Sequence, residues 1–195
     1  MMEVVIMDVI EFHNKFWYFY LELENEFLEI EKTIPVHSIN ETTFSYTYVR
    51  LLGLICSEID VVFKEFVEFK QFQIERDNVA NYKKFIEETY EVFIENEISC
   101  HNIRFNHLKF QPFFDWSLNE DLKWWNINSA IKHNRNEKEN GVEAYKFANQ
   151  KNVLNALSGL FQLNMYFYKE LAEDWNLGDQ MPQPKSNIFN LGYWG

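Results

Sequence analysis

Apolar residues recur at three- and four-residue steps from Val9 to Ile30, at Val9, Phe12, Phe16, Phe19, Leu23, Phe27 and Ile30. That spacing gathers them on one face of a helix. Glu22, Glu24, Glu26, Glu29 and Glu31 are expected to cover the other faces, and Pro35 stops the pattern. A second long helix is predicted from about Thr43 to Lys70. Asn40 to Thr43 offer its cap. Its apolar face is Val49, Leu52, Ile55, Ile59, Val62, Phe63 and Phe66. A connector of about ten residues predicts that the two helices pair antiparallel.

A shorter third helix should begin near Asp77–Asn78 and reach about Val92, with Val79, Tyr82, Phe85, Ile86 and Thr89 inward. The period then changes. Ile103 and Phe105, then Leu108 and Phe110, alternate with polar residues around Asn106–His107, which predicts a small hairpin or extended arm that ends at Pro112. A fourth helix is expected from Asn119 to Asn136, its end fraying into the polar run N-R-N-E-K-E-N-G. The fifth should run from about Ala148 to Asp174. Its Ala156, Ser158 and Gly159 are small enough to let a neighbour come close. Pro182 and Pro184 exclude helix at the start of the tail, which is expected to lie along the bundle through Ile188, Phe189 and Leu191. No repeat or linker divides the chain. The pattern therefore predicts one all-α domain over 1–195, a helical bundle of about five helices with a small extended or hairpin insertion near residues 94–114.

Composition narrows the function classes. Aromatics make up 18% of 195 residues, including 19 Phe, which is too apolar for a disordered chain and reads as core. The net charge of −12 argues against a general nucleic-acid binder. The charge is uneven: Glu120 to Lys151 holds six Lys/Arg against five Asp/Glu. Cys56 and Cys100 fit no metal or redox spacing and point to a reducing, cytoplasmic compartment. The N-terminus lacks the basic start of a signal peptide. The longest uncharged run, Asn152 to Tyr168, is too short and too polar for a membrane span, so no membrane partner is expected.

The candidate chemistry lies in W-W-N-I-N-S-A-I-K-H-N-R, Trp124 to Arg135. On a helix, Trp124, Asn128, Lys132 and Arg135 share one row. His133 lies about 100° round from Lys132, beside Asn126 and Ala130. The three basic groups converge only if the last turn unwinds. Three roles fit them. They can stabilise the negative end of the helix. They can hold a phosphate. Or His133 can act as general acid/base in phosphodiester cleavage, with Lys132 or Arg135 stabilising developing charge. On the second helix Arg50, Ser57 and Glu58 fall nearly on one face. Glu58 is expected to meet Lys132 or Arg135, either as a buried ion pair or as the carboxylate that orients His133. Arg50, Glu58 and Asn128 thus complete the candidate site. Cys100, His101 and His107 lack a metal-ligand spacing, and His13 and His37 read as surface or satisfied histidines. No Glu-x-x-His pair, Gly-rich phosphate loop, GxSxG or Walker motif occurs, so no metal or cofactor is expected.

Three segments carry a resemblance. F-S-Y-T-Y-V-R-L-L-G-L-I-C-S-E-I-D (Phe44 to Asp60), the Trp124 to Arg135 stretch, and A-N-Q-K-N-V-L-N-A-L-S-G-L-F (Ala148 to Phe161) resemble uncharacterised bacterial helical proteins related to the HEPN superfamily. The resemblance covers under a third of the chain. It implies a helical bundle, often dimeric, and a role in handling RNA or a nucleotide within a defence or stress system. Many such domains are ribonucleases, and others are non-catalytic RNA-binding or interaction modules. A homodimer or an antitoxin-like protein partner is implied as well. The family's usual motif, an arginine four to six residues before a histidine, is not found here. The positions five to seven before His133 are Asn128, Ile127 and Asn126.

Overall fold

The computed structural model describes residues 7–102, 104–134, 138–139, 141–172 and 181–191. Five helices form the body of the described chain. Helix α1 covers residues 9–31, α2 Tyr46–Phe69, α3 Val79–Thr89, α4 Lys123–His133 and α5 Gln150–Ala172. Asp8 caps α1, Ser45 caps α2 and Asn78 caps α3, each side chain accepting a first-turn amide. The cap of α2 is therefore Ser45, two residues past the Asn40–Thr43 candidates.

Helices α2 and α5 lie side by side at the centre and run parallel. Phe44 bridges to Asn149 where they begin. Lys70 reaches Glu170 where they end, at 2.9 Å. Near that end Phe66 stacks on Phe167 at 4.8 Å. Helix α1 runs antiparallel to both. Its start packs Phe12 on Phe167, and its end packs Phe27 on Tyr48. The antiparallel pairing expected of the first two helices is thus present, with α5 as a third member of the core.

One face of α1 differs from the periodic reading. A π-helical turn at His13–Trp17 interrupts the α-helix, and a wider turn makes the following residues trail in phase. Tyr20, Glu24 and Glu31 consequently point inward, while Phe19 is 43% exposed. Both glutamates assigned to the polar surface are buried, and each has a defined partner. Glu31 takes the guanidinium of Arg104. Glu24 accepts from the Tyr20 hydroxyl at 2.7 Å, the Ser186 hydroxyl, and the backbone amides of Asn187 and Ile188 at 2.7 and 3.2 Å.

The all-α expectation holds for most of the chain, but a small sheet is added to it. Strands β1 (Ile98–Cys100) and β2 (Lys109–Phe110) pair antiparallel, with Ile98 opposite Phe110. The insertion is therefore a hairpin, but its connection spans residues 101–108, wider than a turn at Asn106–His107. Ile103 lies outside the described residues. A two-stranded hairpin, β3 (Lys138–Glu139) and β4 (Val142–Glu143), follows α4. The tail supplies β5 (Phe189–Leu191), which pairs with β1 on its free edge and gives the order β2–β1–β5. So the tail does lie against the bundle, and does so as a strand.

Of the small residues on α5, Gly159 meets the expectation of close approach. A Cβ at Gly159 would lie 3.3 Å from Pro112 Cβ and 3.5 Å from Trp124 Cζ2. The absent side chain lets the loop before α4, and α4 itself, seat on α5. Among the described residues no helix is long and apolar enough to cross a membrane.

Candidate functional site

Helix α4 is anchored at its start. Trp124 is fully buried, and its indole N–H donates to the Pro112 carbonyl at 2.9 Å. Trp125 is half-buried and packs edge-on against Trp124, 5.9 Å away. One turn on, Asn128 is buried beside Gly53 of α2, whose Cβ position lies 3.8 Å from the Asn128 carbonyl oxygen. The tryptophans and Asn128 thus fix how α4 sits on α2 and α5.

The other end of α4 faces solvent. Lys132 and His133 are both exposed. The helix stays regular through His133, and the Asn134 amide still donates to Ala130. The unwound last turn that would bring Lys132 and His133 together is therefore not present. Lys132 is near enough to α2 for its charge to act on the buried Cys56 thiol. His133 continues the opposite row, after Asn126 and Ala130. Those two residues, with Lys123, Ile127, Ala144 and Phe147, line an open groove of about 1140 Å³ on the outer side of α4. Arg135 lies outside the described residues.

The second half of the candidate site is not assembled with the first. Arg50 is exposed and pairs with Glu26 of α1. Ser57 is exposed, and Glu58 is 9% exposed with one carboxylate oxygen buried and without a hydrogen-bond partner. No ion pair joins Glu58 to Lys132, and none of the described carboxylates reaches Lys132 or His133. The expected Glu58–Lys132 ion pair is therefore not formed, and the alternative partner, Arg135, lies outside the described residues. Burial alone pushes the Glu58 carboxyl up to about 7.

Other titratable groups are held for structure. Burial pushes the Cys56 thiol far up, against a small opposing effect of Lys132, and the Cys100 thiol up to about 12. Neither forms a thiolate near neutral pH, which removes both as nucleophiles. His13 bonds the Val9 carbonyl at 2.7 Å, and His101 lies 3.2 Å from the Phe189 carbonyl. Among the described residues no three His, Cys, Asp or Glu side chains are placed to hold a metal.

Most lysines and arginines of the described chain sit in ion pairs. Five described ones do not, Arg76, Lys123, Lys132, Lys138 and Lys185, and three of these five, Lys123, Lys132 and Lys138, are exposed on α4 or the strand that follows it. Carboxylates stand nearby, Asp115, Glu120 and Asp121 along the groove with Lys123 and Lys138, but none is in ion-pair contact with these three lysines. Compared with protein-family models, curated proteins and solved structures, the chain matches none.

Proposed function

We propose that this chain is a HEPN-like helical domain that handles RNA or a nucleotide at the solvent-facing end of α4, through Lys132 and His133, with Arg135 two residues further on. The supporting observation is that the cations of α4 are exposed and lack ion-pair partners in an otherwise acidic molecule. A lysine paired with carboxylate must give up that contact to bind phosphate, whereas Lys132 has none to give up. The exposed His133 can exchange a proton with a bound ligand.

A second reading is a non-catalytic interaction or dimerisation domain. It is favoured by the absence of any described carboxylate near His133, because an acid/base histidine is usually oriented by such a group. The two readings separate in one experiment. Cleavage and binding of a single-stranded RNA are measured for wild type, His133→Ala and Lys132→Ala, with melting temperatures confirming the fold. Under the catalytic reading His133→Ala lowers cleavage by roughly 100-fold or more. Equal cleavage in both rejects it. If none of the three cleaves, but RNA binding weakens with Lys132→Ala and falls steeply with salt, the domain binds without catalysis. If wild type neither cleaves nor binds RNA, handling of RNA at α4 is rejected.

A further inference from the structure

A second groove, of about 560 Å³, lies between the segment leading into α2, the stretch around β2, and the first turns of α5. Its volume is in the range of small-molecule sites. Val36, Leu108, Phe110 and Leu154 give it an apolar lining. His37, His107, Lys109 and Lys151 stand on its walls, against a single lining carboxylate, Glu41. These four come from three separate segments, so four nitrogen-bearing side chains border one groove whose lining holds a single carboxylate.

Lys109 and Lys151 would each exchange a surface ion pair for a ligand, as paired lysines must. Lys109 pairs with Glu97 at 2.6 Å, but both side chains are about half exposed or more. Such surface pairs hold weakly and exchange readily. Lys151 lies 3.9 Å from Glu41, again at the surface. The Nδ1 atom of His37 accepts the Ile39 amide at 3.2 Å, which leaves Nε2 as the donor. His107 is exposed. The floor is fixed: the carboxamide of buried Gln150 donates to the carbonyls of Ile34 and Pro35 at 3.1 and 3.2 Å. The first amides of α5 are already engaged, Gln150 with the Thr43 carbonyl and Lys151 with that of Glu41. An anion here would be held by side chains.

We propose that this groove binds a phosphate monoester with a flat or apolar body. Donors from three segments suit a group with three terminal oxygens, and Phe110, Leu108 and Leu154 suit the body. A neutral ligand would leave the cations unused, and inorganic phosphate would leave the apolar lining wet. This site stands apart from the end of α4 and does not depend on RNA handling there.

Adenosine monophosphate and phenyl phosphate serve as probes in calorimetric titrations, with adenosine and inorganic phosphate alongside. At least one monoester should saturate the wild-type protein, at least tenfold tighter than adenosine or inorganic phosphate. Lys109→Ala and His107→Ala should each weaken it about tenfold with unchanged melting temperature, since both side chains are exposed. The proposal is overturned if neither monoester saturates, or if adenosine binds as well as its monophosphate. It is also overturned if binding is lost with Lys132→Ala while Lys109→Ala keeps it, which would put the ligand on α4. Lys151 lines both grooves and so cannot discriminate between them.

Discussion

Glu58 shows what a single buried charge does to this protein. Its carboxyl titrates at about 7 when folded and near the usual carboxylate value when unfolded. Below about pH 4.5 both states are protonated and there is no penalty. As pH rises from there to about 7 the unfolded state loses its proton first, so stability falls; above about 7 the loss is complete. Glu58→Gln should abolish that fall and raise stability at pH 8 by about 1–2 kcal/mol, a figure discounted for the solvent that still reaches the side chain. Denaturant melts of both proteins at pH 5 and pH 8 measure it, and a wild type whose stability does not fall between them would show that Glu58 is not desolvated. Gly159 makes the opposite point, about space. A valine there would collide with Pro112 and Trp124 and should cost about 1–3 kcal/mol, read as a lowered denaturation midpoint. The need for a small residue was legible from the Ala156–Ser158–Gly159 run; its true neighbour, a loop and a tryptophan, was not.

At the scale of elements, α1 and the tail depend on each other. Glu24 is satisfied by Tyr20 on its own helix and by groups from Ser186, Asn187 and Ile188. Ser186 in turn accepts the Phe189 amide at 2.8 Å, which starts strand β5. Glu24→Ala should therefore loosen β5 before it loosens the helices. Hydrogen exchange should speed up at Ile188 and Phe189, with a stability loss of about 3 kcal/mol from the donors left bare. Unchanged protection at those amides would mean that β5 is held by its pairing with β1 alone. The helices were readable because 3.6-residue periodicity is local. The inward turn of Glu24 and Glu31 was not, because one π-helical turn shifts the phase and carries no clear signal in sequence. The sheet was half readable: strands of two or three residues show little alternation, and β5 pairs with a strand 91 residues earlier.

Over the whole molecule, charge repulsion opposes compaction. A net charge of −12 on 195 residues should make stability rise with salt. Going from about 20 mM to about 200 mM sodium chloride shortens the screening length from roughly 20 Å to roughly 7 Å. The melting temperature should rise by a few degrees; a fall would mean that ion pairs such as Lys70–Glu170 outweigh the repulsion. The site was legible to a similar degree. Helical spacing separated Lys132 from His133, and the regular end of α4 keeps them apart. The missing Glu58 contact and the second groove both depend on which helices become neighbours, and no local pattern encodes that. His37 and His107 are unremarkable in sequence and share a wall only after three distant segments fold together.

The shell around Glu24 also sets an order of events. Ser186 is 162 residues from the carboxylate it satisfies. During synthesis α1 is made early, but its inward face carries a charge that cannot be buried until residues 186–188 have been translated. A released chain stopped short of them contains every helix of the body and still lacks the groups that let α1 close onto α5. For this protein, completion of the core should wait for the tail, so released chains truncated before residue 186 should remain sensitive to protease in α1 while chains that include residues 186–191 are resistant.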